Sequence, residues 1–272
     1  MKFRYFLQQL LIAASLTVLA ATGAHAEDAG TIMPDKLLVG VDANQKPNVY
    51  IDNGQITGFD AEVLRAMGKK LGLTVEFRAQ DFSGLLPSVS SGQVDIAASS
   101  ISITHERLKM VDFSDGYLVG FVSVATLPDS TISKDLASVR GKRIGVIQGT
   151  IEDTYASQYL PGAQIVRFPN LNAGFLSLRS KYIDGYFVDD SNVTAFKQQY
   201  PQLNLSDRID ISVVDLPVGF PMRKGNTKLK LALNKALTEI VADGTWLKVY
   251  REFYPDYPNP DKLPPYQMKT SG

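Results

Sequence analysis

The sequence predicts an α/β protein of two lobes, the second inserted into the first and tied to it by two extended crossovers. Three observations carry that expectation. A strand–helix–strand–helix–strand alternation begins near Leu37 and restarts at Arg143. Two long apolar stretches without helical period, Tyr117 to Ala125 and Val213 to Phe220, flank the second unit. An amphipathic pair of helices near the C terminus then needs a host, and the first unit is short of helices.

Leu37 to Ala43 reads as a strand and Asn53-Gly54 as a turn. Phe59 to Leu71 reads as a helix, because Val63, Leu64, Met67 and Leu71 fall on one face and Gly72 follows as a stop. Thr74 to Ala79 is the next strand. Asp81 or Ser83 starts a helix holding Leu85, Leu86 and Val89, with Gly92 beyond it, and Asp95 to Ala98 is a short strand. In the second unit Arg143 to Ile147, Gln164 to Phe168 and Gly185 to Val188 read as strands. Helices start near Ile151, at Asn172 and at Ser191. Leu229, Leu233, Leu237 and Ile240 line one face of a later helix, which Gly244 breaks before Trp246, Val249, Tyr250 and Phe253. Five prolines between Pro255 and Pro265 mark an irregular end.

The first 26 residues read as an export signal. Lys2 and Arg4 make a basic start, Leu10 to Ala21 is apolar but short for a membrane span, and Ala24-His25-Ala26 suits signal peptidase. The chain has no cysteine, so lipid attachment, disulfides and thiolate metal sites are all excluded. A soluble periplasmic protein is expected, without cofactor or metal. Beyond the signal, 246 residues carry 26 basic and 28 acidic side chains, a formal net charge of −2 that gives no footprint for nucleic acid. The expected division is 1–26 signal, 27–121 with 219–272 as lobe 1, and 122–218 as lobe 2.

Function enters through residues 98–107, A-S-S-I-S-I-T-H-E-R. Thr104 is a good helix N-cap, and Glu or Gln is favoured three positions on. This chain has Arg107 there, at a helix end whose dipole disfavours a cation. Ser99, Ser100, Ser102 and Thr104 crowd the approach. A guanidinium among hydroxyls at a strand–helix junction fits a carboxylate receptacle.

Ligands in open α/β sheets gather beyond the carboxyl ends of strands. Asp42, Ser99 with Ser100, and Asp189 stand at such ends, and Asp189-Asp190-Ser191 is equally suited to capping the next helix. Gln148-Gly149-Thr150 precedes a helix, where backbone N–H groups can face an anion, but it lacks the spacing of a phosphate loop. Phe82 sits at a strand-to-helix corner on the same side, as a cap contact or as a platform.

Taken in order, Gly58-Phe59-Asp60, Gly92-x-x-Asp95, Ser99 to Arg107 and Val111-Asp112-Phe113-Ser114 resemble the family-3 periplasmic solute-binding proteins, the polar amino-acid receptors of ABC importers. Gly141 to Val146, Gln148-Gly149-Thr150 and Asp243-Gly244-Thr245 extend the similarity, which covers about residues 35 to 254. The resemblance implies the type II two-lobed binding-protein fold and a monomer that delivers its ligand to a cognate permease. It implies that Arg107 clamps an α-carboxylate with help from Ser100, Ser102 and Thr150, and that Asp189 takes the α-ammonium group. Asp42 matches a residue that often meets the ligand side chain, and Phe82 the aromatic packed on it.

Departures occur at Gln45 and Asn48, where the family often has aromatics, and at Ile151, where it tends to have a hydroxyl. One wall of the pocket is therefore expected to be more polar. With Asp42 at one end and Gln45 on the same wall, the side chain expected is polar: glutamine, histidine, arginine or lysine. If Asp42 instead bonds its own loop and Gln45 faces solvent, that preference has no basis. The rival is a cyclohexadienyl or arogenate dehydratase-like enzyme on the same fold, which needs an acid or base aimed at the ligand. His105, the one imidazole beyond the signal, is expected at the surface. No Gly-x-Ser-x-Gly elbow supports hydrolysis, and binding without catalysis is the expectation.

Overall fold

The computed structural model describes residues 28–160, 162–211 and 216–268. The expected export signal lies outside the described residues, as does part of the second apolar stretch.

The chain opens with β1 (Lys36–Val41) and a three-stranded ribbon of β2 (Asn44–Gln45), β3 (Val49–Asp52) and β4 (Gln55–Thr57). Asn53 and Gly54 join β3 to β4 with φ of 48° and 78°, the left-handed pair that a two-residue hairpin requires. Helix α1 (Phe59–Leu71) has the bounds its periodicity predicts. Val63, Leu64 and Met67 are fully buried, and Gly72 ends the helix at φ 68°. There follow β5 (Thr74–Ala79), α2 (Phe82–Ser90), β6 (Ile96–Ala98), α3 (His105–Met110) and β7 (Val111–Phe113). Asp95 stays out of its expected strand because its carboxylate accepts the backbone N–H groups of Ile32 at 2.6 Å and Leu38 at 2.8 Å.

The first apolar stretch divides into β8 (Leu118–Val119) and β9 (Val122–Thr126). The second lobe continues with β10 (Arg143–Ile147), α4 (Ile151–Tyr159), β11 (Gln164–Phe168), α5 (Leu171–Arg179), β12 (Gly185–Asp189), α6 (Asp190–Gln199) and β13 (Ser206–Ile211). The chain returns through β14 (Pro217–Val218), which pairs antiparallel with β8, and then β15 (Pro221–Arg223).

Two five-stranded sheets result, ordered β5-β1-β6-β15-β7 and β11-β10-β12-β9-β13. Each is parallel except for one strand. β15 runs against β6 and β7, and β9 runs against β12 and β13. In both sheets the reversed strand is the one entering from the opposite lobe. Among the described residues no continuous sheet joins the halves, and β8 pairs with β14 between them. The second lobe is an insertion into the first.

Helices α7 (Thr227–Ala242) and α8 (Thr245–Phe253) return to the first lobe. Leu229, Leu233, Leu237 and Ile240 join one buried cluster with Val39, Phe59, Met67 and Trp246. Trp246 is fully buried, meets Phe59 edge-on at 5.8 Å and stacks on Tyr250 at 5.1 Å. Its indole N–H donates to the Tyr117 carbonyl at 3.0 Å, tying α8 to the root of the first crossover.

Candidate functional site

The carboxyl ends of the two sheets face each other across a narrow cleft lined by residues of both lobes. The lobes touch around it. Asn192 donates to the Lys46 carbonyl at 2.8 Å, the Tyr257 hydroxyl to Asp190 at 2.6 Å, and Gln198 to Asp256 at 2.6 Å. One buried cluster also runs across, with Phe82 and Leu85 on one side and Ile147 and Tyr186 on the other. The arrangement is closed.

Arg107 stands at the centre of the cleft. Thr104 caps α3 as its sequence position indicates, its hydroxyl accepting the Arg107 N–H at 3.1 Å. The guanidinium is buried and donates to the Ser102 carbonyl at 2.8 Å and, across the cleft, to the Gly149 carbonyl at 3.2 Å. The Phe82 ring lies 5.9 Å from its carbon. Burial pulls the guanidinium pKa down to about 10, opposed by the negative charges of Glu152 and Asp189, so it stays cationic at neutral pH. No carboxylate of the protein lies within ion-pair distance of it in the described residues. A buried cation whose acceptors are carbonyls has the chemistry to receive an anion.

Ser99 and Ser100 turn the end of β6 into the cleft with φ of 121° and 54°, a left-handed path that non-glycine residues avoid. Asp60 holds it. Its Oδ2 accepts the N–H of Ser99 at 3.1 Å and of Ser100 at 2.8 Å. Burial raises the Asp60 pKa to about 6 against these two hydrogen bonds. Asp60, quoted in the sequence only as part of a motif, thus acts through the loop it shapes.

Gln45, Phe82, Ser99, Ser100, Ser102, Arg107, Thr150 and Asp189 all line the cavity. Asp42 does not. It is fully buried, and its oxygens accept from the Asn44 N–H at 3.2 Å, the Asn44 amide at 3.1 Å and the Gln45 Nε2 at 3.0 Å. The loop after β1 folds back over the carboxylate, so the buried Gln45 takes the wall position that was expected to be shared. Gly149 contributes its carbonyl to Arg107 rather than its N–H to the cavity. That N–H donates to Asp153 at 3.1 Å, which removes it from the expected anion-facing set. Thr150 caps α4, its hydroxyl accepting the Asp153 N–H at 3.2 Å.

Asp189 precedes α6 without capping it by its side chain, which leaves its carboxyl to the cleft. Burial and the neighbouring Glu152 drive its pKa well up, opposed by the Ser100 hydroxyl. Glu152 and Asn192 were not singled out by the sequence, yet both line the cavity. Glu152 falls in the first turn of α4, where an acid ordinarily serves the helix dipole and signals nothing more. Asn192 falls in the first turn of α6, after a run of acceptable capping residues. His105 is exposed, as expected.

Two α/β lobes on a paired crossover, with a buried cation and a half-buried carboxyl lining the cleft between them, define an interlobe binding protein. The chain belongs to the bacterial extracellular solute-binding proteins, family 3, which it matches over residues 37–256. It is 31% identical over 229 residues to ABC transporter arginine-binding protein 1 of Escherichia coli (strain K12), covering 83% of this chain and 93% of that one. An ancestral arginine-binding protein superposes in two solved structures. The one bound to arginine has a TM-score of 0.78, 32% identity, and covers 81% of this chain and 98% of its own. The one bound to glutamine has a TM-score of 0.78, 33% identity, and covers 82% and 99%. A third protein, the ancestral amino acid-binding protein AncCDT-1, a precursor of cyclohexadienyl dehydratase, matches with a TM-score of 0.71 and 31% identity over 81% of this chain and 96% of that one. The fold is the type II periplasmic-binding-protein fold. Among the described residues no helix is long and apolar enough to cross a membrane.

Proposed function

We propose that this protein captures a free polar L-amino acid in the cleft and hands it to an ABC importer in the periplasm. The observation that carries the reading is Arg107 and Asp189 lining one cavity between the lobes. A zwitterion needs a guanidinium fork for its carboxylate and a carboxylate for its ammonium group, and neither group here has an ion-pair partner within 4.0 Å among the described residues. On this reading Arg107 clamps the α-carboxylate with Ser100, Ser102 and Thr150 around it, and Asp189 takes the α-ammonium. Phe82 packs on the ligand. Gln45 gives its Nε2 to Asp42, which leaves its Oε1 as an acceptor and favours side chains that donate, as in arginine, lysine, histidine and glutamine. The reading keeps residues 1–26 as an unlipidated export signal, 27–121 with 219–272 and 122–218 as the two lobes, and a monomeric state.

A thermal-shift screen of the twenty amino acids, followed by calorimetric titration of the strongest responders, tests it. Stabilisation by polar amino acids is expected, since a ligand that binds only the folded state raises the melting temperature. No response to any of the twenty would overturn the proposal.

Asp189→Asn separates the two ends of the ligand. The variant is expected to weaken amino acids with a free α-amine by about 2 kcal/mol or more, and their deaminated analogues far less. Equal losses measured by calorimetry would give Asp189 another role.

Dehydratase-like chemistry is the second reading, favoured by the likeness to a dehydratase precursor and by two carboxyls in the cavity with raised pKa values. Consumption of a cyclohexadienyl acid by the purified protein decides it.

A further inference from the structure

Asn192 has no place in the zwitterion scheme, yet it lines the cavity with only 1% of it exposed. It stands in the first turn of α6, three residues after Asp189 and near a helix start, where an asparagine commonly caps. Here its side chain leaves the helix. Its Nδ2 crosses to the other lobe and donates to the Lys46 carbonyl at 2.8 Å. A carbonyl oxygen only accepts, so this contact fixes which way the amide faces. Nδ2 is committed to Lys46, and Oδ1 is left as an unused acceptor.

Gln45 repeats the pattern from the first lobe. It is 4% exposed, and its Nε2 donates to the Asp42 carboxylate at 3.0 Å, which leaves Oε1. Asp42 is held as an acceptor in its turn. Asn44 gives it a backbone N–H and an amide N–H, and the Asn44 side-chain carbonyl accepts from Asn172 of the other lobe at 3.2 Å. Gln45 and Lys46 are consecutive, so the two amides are anchored at one stretch of the wall, one from each lobe. Among the described residues neither Gln45 Oε1 nor Asn192 Oδ1 accepts a hydrogen bond, and neither is sealed among protein atoms.

We propose that Asn192 is a specificity-determining residue: with Gln45 it offers two orientation-locked carbonyl oxygens to the cavity, and the pair selects amino acids whose side chain ends in two or more N–H bonds, a guanidinium or a carboxamide. This rests on the amino-acid-capture reading of the site. Each oxygen exchanges water for a ligand N–H when such a side chain enters. A side chain without donors buries both oxygens unsatisfied, and a carboxylate sets acceptor against acceptor. Neither amide turns to offer its N–H instead, because the Lys46 carbonyl and the Asp42 carboxylate would lose their donors.

Calorimetry with two matched pairs tests it: arginine against 2-aminooctanoate, and glutamine against methionine. The members of a pair are alike at the α-carbon and similar in length, and differ in side-chain donors. In the wild type, arginine or glutamine is expected to bind on the order of a hundredfold more tightly than its partner. In Asn192→Ala that ratio is expected to fall about tenfold or more, because the donor ligand weakens and its partner does not. Asn192→Leu, which keeps the buried volume, serves if the alanine variant does not fold. A role at the ammonium end beside Asp189, or only as a tether to Lys46, would weaken both members of a pair alike. An unchanged ratio in the variant therefore overturns the proposal, and so does a ratio near one in the wild type. If the wild type binds neither arginine nor glutamine, the proposal is overturned, while the thermal-shift screen of the twenty amino acids still decides the capture reading.

Discussion

Replacing Arg107 by alanine is expected to lower affinity for the captured amino acid by about 2–5 kcal/mol, roughly 30-fold to several thousandfold. On the proposed reading the variant removes a bidentate charge-assisted contact and leaves the ligand carboxylate unpaired in the cleft. It also frees the carbonyls of Ser102 and Gly149, the second of which lies in the other lobe. Closure should therefore suffer along with binding. The cap of α3 survives, because Thr104 accepts the backbone N–H of residue 107 whatever its side chain. Calorimetric titration with circular dichroism checks both parts. Near-wild-type affinity in a folded variant would remove Arg107 from the site.

Trp246→Ala is expected to cost about 3–5 kcal/mol of folding stability. The indole is fully buried between Phe59 and Tyr250, so truncation leaves a cavity that rigid neighbours fill only in part. It also leaves the Tyr117 carbonyl, buried at the base of the crossover, without its donor. Denaturant unfolding measures the loss. A change below about 1 kcal/mol would mean that α8 contributes little to the first lobe, against the packing described here.

Much of the fold was legible because the signals are local. Helix α1 follows from four apolar residues on one face and a glycine that tolerates left-handed backbone after Leu71. Strands β5, β10 and β11 have the bounds expected from their apolar runs. The ribbon of β2 and β3 was not legible, since two- and four-residue strands carry no period of their own. Strand β15 was missed for the same reason. Its place between β6 and β7 depends on a pairing across more than a hundred residues of inserted chain.

By itself the sequence determined the α/β class, the insertion, the host of the terminal helices and the position of Arg107 just inside a capped helix. Each depends on periodicity, on turn chemistry or on a side chain in the wrong place for a helix start, and these are properties of neighbours along the chain. Tertiary structure alone decided the rest of the site. It turned Asp42 back onto its own loop, spent the Gly149 N–H on Asp153, and set Asp60 beneath the left-handed turn at Ser99 and Ser100. It brought Glu152 and Asp189 to line one cavity. On the page Glu152 is an ordinary first-turn acid. Its environment comes from desolvation and from groups on other elements, Arg107 among them. Desolvation and long-range charge depend on what packs around a group, and no local pattern encodes them.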